Sequence, residues 1–125
     1  MHQNVKRYLM HPLIGKVVAL NQYLMKVRTL PEKSIQHVYV ETLMKASDTL
    51  FTQAMREVRG KDYVKRATET IEEITARNYL IYSLRGWSNK VTARIDAMCE
   101  EITAELYKAD AVMKNSQNHE VQGRT

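Results

Sequence analysis

Four consecutive segments of this chain carry apolar residues at helical spacing, and only Leu30-Pro31, Gly60-Lys61 and Gly86-Trp87-Ser88-Asn89 stand between them. Connectors this short force successive helices to run antiparallel, so the pattern predicts an all-α fold, an antiparallel up-down-up-down four-helix bundle. The bundle is expected over residues 1–114. From Asn115 to Thr125 the sequence turns polar and aperiodic, which predicts a flexible polar tail over residues 115–125.

The first helix is expected to begin at Pro12, whose missing N–H suits an early helical position, with Leu13, Val17, Leu20, Leu24 and Val27 on one stripe. The second is expected from Pro31–Ser34 to Gly60, with Ile35, Tyr39, Leu43, Ala46, Leu50, Ala54 and Val58 inside. Asp62 is the expected cap of the third, whose stripe reads Tyr63, Ala67, Ile71, Ile74, Asn78, Ile81 and Leu84 and which should stop at Gly86. Ser88 or Asn89 should cap the fourth, with Val91, Ile95, Met98, Ile102, Leu106, Ala109 and Met113 inside.

Within 125 residues this amounts to one core. A content of 44% hydrophobic and 26% charged residues is that of a globular chain. The single cysteine, Cys99, excludes an intrachain disulfide and a cysteine-rich zinc site within one subunit, which fits a reducing compartment. No apolar run approaches the ~20 residues that span a bilayer, so a cytoplasmic protein without membrane contact is expected.

No catalytic motif stands out. Helices three and four carry Glu69, Glu72, Glu73, Asp96, Glu100, Glu101 and Glu105, but a diiron bundle also needs inward Glu-x-x-His pairs, and His2, His11, His37 and His119 form none. These carboxylates fall between core positions, where solvated faces and pairs such as Glu73 with Arg77 account for them. Cys99, beside Glu100 and Glu101, has neighbours that raise a thiol pKa, the opposite of what a nucleophile needs. The four glycines, Gly15, Gly60, Gly86 and Gly123, are too scattered for a phosphate-cradling loop. The expectation is no enzyme, no metal and no cofactor. Asn78 is the one polar residue at a clear core position, and a buried amide there would set register or oligomeric state unless water satisfies it.

Nineteen Lys and Arg against fourteen Asp and Glu give a net charge of +5. In the expected topology one end of the bundle gathers Lys6, Arg7, Arg56, Arg59, Lys61, Lys65, Arg66, Lys108 and Lys114, which suits the phosphates of RNA or DNA. Lys26, Arg28, Lys33, Arg85, Lys90 and Arg94 form a weaker basic zone opposite. Basic residues near a helix C-terminus also complement the helix dipole, a second reading of Arg56 and Arg59. Apolar positions exceed one stripe per helix, and Val18, Phe51, Leu80 and Trp87 are the expected contacts of a homo-oligomer. A broad core face within one subunit is the alternative.

The run Leu30-Pro31-Glu32-Lys33-Ser34, the alanine-bearing second helix and the tight third turn resemble the Avd-like four-helix bundle proteins over about residues 12–113. These are accessory variability determinants of diversity-generating retroelements, similar to bundle proteins of ribosomal RNA intervening sequences. The resemblance implies a basic, ring-forming homo-oligomer, pentameric in those relatives, that binds nucleic acid and the element's reverse transcriptase and performs no chemistry itself. The alternative expectation is a protein-interaction adaptor bundle of a phage or mobile element that binds no nucleic acid.

Overall fold

The computed structural model describes the backbone of residues 8–123 and the side chains of residues 8–115. Helix α1 spans Pro12–Val27. Pro12 opens it, and Nδ1 of His11 accepts the Leu13 N–H at 3.1 Å, satisfying one of the donors a helix start leaves unpaired. All five expected stripe residues are buried, and Ile14 joins them.

Helix α2 covers residues 33–58 in three stretches: Lys33–Ile35, a π-helical turn at Gln36–Val40, and Glu41–Val58. The wide turn has a reason in the spacing. Ile35, Tyr39 and Leu43 are separated by two successive steps of four residues, which drift around a 3.6-residue helix, and one wider turn returns them toward the same side. Gln36 ties this start to the preceding connector by donating its side-chain amide to the carbonyls of Thr29, at 3.2 Å, and Pro31.

Helix α2 ends in a Schellman motif. Lys61 N–H bonds the Arg56 carbonyl at 3.0 Å and Gly60 N–H that of Glu57 at 3.1 Å, with Gly60 at φ 94°, where a residue with a Cβ would be strained. Helix α3 is Val64–Ser83. The expected Asp62 cap is not used. Instead the Glu57 carboxylate reaches across the turn, its Oε1 accepting the Tyr63 N–H at 2.9 Å.

The end of α3 repeats the motif one residue earlier than expected. Gly86 N–H bonds the Ile81 carbonyl at 2.8 Å and Arg85 N–H that of Tyr82 at 2.9 Å, so the left-handed position, φ 61°, falls on Arg85. Gly86 is needed for a different reason: a Cβ there would lie 2.6 Å from Cγ2 of Ile81. Because the helix stops at Ser83, Leu84 leaves the expected inner stripe and is exposed, while Trp87 folds inward.

Helix α4 spans Asn89–Gly123, with Ser88 Oγ accepting the Val91 N–H at 3.3 Å, as expected of its cap. The helix runs through most of the segment read as a flexible tail. A helix closes its backbone bonds within its own segment and needs no apolar stripe to continue, so loss of periodicity did not mark its end.

Helix α1 packs on α2, α2 on α3, α3 on α4, and α4 back on α1, closing the four-helix bundle. The shared interior holds Leu20, Leu24, Leu43, Leu50, Ile74, Ile95, Ile102 and Leu106 with little or no exposure. Ala46, Ala54 and Ala67 are buried in α2 and α3, where small side chains allow close approach. Among the described residues no helix is long and apolar enough to cross a membrane.

Candidate nucleic-acid interface

The turn between α2 and α3 concentrates positive charge because three basic residues end or follow α2 and two begin α3. Arg56, Arg59, Lys61, Lys65 and Arg66 are all exposed there. Tyr63, expected on the inner stripe, is only half buried and organises this face. Arg56 donates from Nη1 to the Tyr63 hydroxyl at 3.0 Å. The guanidinium carbons of Arg56 and Arg66 lie 5.3 and 5.2 Å from the Tyr63 ring centre, and that of Arg59 lies 5.7 Å from the ring of Tyr8. The Arg56 hydrogen bond, with the charges of Arg56 and Arg66, holds the Tyr63 phenol below its ordinary pKa.

Two of the basic residues expected at this end are drawn into local pairs instead. Lys114 sits 2.9 Å from Asp110 on α4, and Lys108 sits 3.5 Å from Glu105. The Asp110 hydrogen bond and charge raise the Lys114 pKa. Lys6 and Arg7 lie outside the described residues. Among the described residues, Arg56, Arg59, Lys61, Lys65 and Arg66 are exposed around the α2–α3 turn, while Lys108 and Lys114 lie on α4 beside a carboxylate each.

Beneath this face lies an acidic group that the sequence pattern did not single out. Glu57 is 2% exposed and Asp110 7% exposed, and one carboxylate oxygen from each, together with one from exposed Asp62, fall within 4.8 Å of one another. Burial raises the Glu57 pKa above its ordinary value. The Tyr63 N–H opposes that shift, and the negative charges of Asp110 and Asp62 add to it. A groove of about 430 Å³ borders Glu57, lined also by His11, Val58, Gly60, Glu105 and Lys108.

The expected oligomer contacts separate into three environments. Val18 and Phe51 are half buried and meet in a groove of about 330 Å³ between α1 and α2, shared with Asn21, Gln22, Met25 and Asp48. Leu80 is 37% exposed on α3, near Tyr79, which is 66% exposed. Trp87 is buried within the subunit. It is 5% exposed and donates from Nε1 to Oδ1 of Asn78 at 3.1 Å. An indole finding an amide acceptor inside the subunit has no unpaired donor left to draw it to a surface.

Asn78 itself is fully buried, and its amide nitrogen donates at 3.0 Å to both the Thr92 carbonyl and Oδ1 of Asp96. It thus sets the register of α3 against α4 within one subunit, and Asp96 is a partner of the core rather than a purely solvated acid. Glu73 pairs with Arg77 at 3.7 Å as the spacing predicts. Cys99 is buried, and desolvation pushes its thiol up to about 11, with Asp96 and Glu100 adding to the rise.

No family model, curated protein or solved structure matches the chain.

Proposed function

We propose that this bundle is a nonenzymatic nucleic-acid-binding protein whose contact face is the α2–α3 turn. The observation that carries this reading is the set of exposed Arg56, Arg59, Lys61, Lys65 and Arg66 around the Tyr63 ring. A phosphate backbone is bound by fixed positive charge, and guanidiniums held against an aromatic ring offer their donors in a restricted geometry. Cations grouped on one exposed turn reach phosphates whatever the base, so the binding is to the backbone and independent of sequence.

On the resemblance to the Avd-like bundles, the protein acts as a homo-oligomeric, pentameric accessory of a diversity-generating retroelement and as a partner of its reverse transcriptase. Repetition of one modest patch around a ring multiplies its effective concentration for a single strand. A second reading, a protein-interaction adaptor, draws support from exposed Tyr79, Leu80 and Leu84.

Fluorescence titration of unrelated RNA and DNA oligonucleotides across a salt series tests the first reading. Each phosphate neutralised contributes about −0.9 to the slope of log affinity against log salt on duplex DNA, or about −0.7 on a single strand. Replacing Arg59, Lys61 and Lys65 by glutamine should weaken binding to every sequence and flatten that slope by about two to three phosphate equivalents. The same change at Lys26, Arg28 and Lys33 should do less. An unchanged slope in the first variant rejects the face, and no binding at low salt transfers the case to the adaptor reading.

A further inference from the structure

We propose that Glu57, Asp62 and Asp110 form a binding site for a hard divalent cation of the calcium or magnesium type, pinning the end of α2 and the α2–α3 turn to α4. Glu57 and Asp62 flank the α2–α3 turn while Asp110 lies far along the chain on α4, yet one oxygen of each lies within 4.8 Å of the others. An ion at about 2.0–2.6 Å from each oxygen fits between ligands so spaced.

Each buried carboxylate has one oxygen committed and one left over. Glu57 Oε1 accepts the Tyr63 N–H and Asp110 Oδ2 meets Lys114, whereas Glu57 Oε2 and Asp110 Oδ1 are buried with no hydrogen-bond partner among the described residues. Buried carboxylate oxygens are rarely left without a partner, because their desolvation then goes uncompensated. Lys114 brings one positive charge to three carboxylates, leaving a deficit of two that a divalent ion cancels. With oxygen ligands only and neither imidazole nor thiolate in the cluster, the chemistry selects hard cations over zinc or copper. Asp62, the exposed member, leaves a side open to the waters that complete such a shell.

The inference stands apart from nucleic-acid binding, since it concerns the stability of the turn and not what the turn touches. The experiment is a thermal melt of the full chain, stripped with chelator and then returned to millimolar CaCl₂, MgCl₂ or MnCl₂, against NaCl of matched ionic strength. At least one cation should raise the Tm, by about 5–10 °C once it exceeds its Kd by about a hundredfold. Asp62→Asn, an exposed change that leaves the fold intact, and Glu57→Gln, which keeps the acceptor for Tyr63, should each weaken binding by tenfold or more in calorimetric titration. Glu69→Gln, on an exposed part of α3, should leave it unchanged. No shift beyond the NaCl control overturns the proposal, and so does a shift that survives both cluster variants undiminished.

Discussion

At the scale of single residues, Asn78 carries the most structural information. Its carboxamide joins α3 to the indole of Trp87, to the α4 backbone at Thr92 and to Asp96, all from a fully buried position. Replacing it by leucine keeps the volume but strands the buried Trp87 indole N–H and removes the tie to α4, so Asn78→Leu should lower stability by about 2–4 kcal/mol in urea unfolding. A loss below about 1 kcal/mol would mean that water takes over these bonds. The spacing of apolar residues revealed that Asn78 faces inward. It could not reveal the partners, because Trp87 and Thr92 come within reach only when α3 stops at Ser83 and the following turn folds back. Glu57 and Asp110 escaped the pattern for a related reason: a charged residue is read as solvated unless a turn is known to close over it.

At the scale of elements, the two Schellman turns place the same demand on different residues. In the first, Gly60 occupies the left-handed position. In the second, Arg85 must occupy it, because Gly86 is already required where a Cβ would meet Ile81. Arg85→Gly should therefore stabilise the protein by about 1 kcal/mol, the relief of a left-handed residue bearing a Cβ. Gly86→Ala should destabilise it by about 1–3 kcal/mol through overpacking. Thermal melts of both variants check the pair, and opposite signs are the diagnostic outcome. Helix existence and topology were legible because four long stripes and three short connectors leave one simple arrangement. The π turn and the course of α4 beyond the apolar stripe were less so, since neither changes which residues are apolar.

At the scale of the whole molecule, the apolar surface leaves open sites for self-association on separate faces. Val18 and Phe51 share the α1–α2 groove, and Leu80 lies with Tyr79 and Leu84 at the end of α3. If the bundle assembles through the second patch, light scattering at micromolar concentration should show several subunits. Leu80→Glu should then lower the mass to that of one chain while leaving helical circular dichroism intact, because Leu80 is not a core residue. A monomeric unmodified protein would remove the ring from the proposed function while leaving the basic turn to be judged by its salt dependence.

The Asn78 network also bears on the order in which the chain assembles. Its partners lie 9, 14 and 18 residues away, all within the α3–α4 hairpin, whereas the contact of α1 with α4 must close most of the chain. Short loops cost little entropy to close, so this hairpin can form its polar latch before α1 docks. In stopped-flow experiments Asn78→Leu should then slow refolding more than it speeds unfolding, and unchanged refolding would place the latch after the barrier. A side chain that holds two helices in register in the finished bundle would thus also decide which pair of helices meets first.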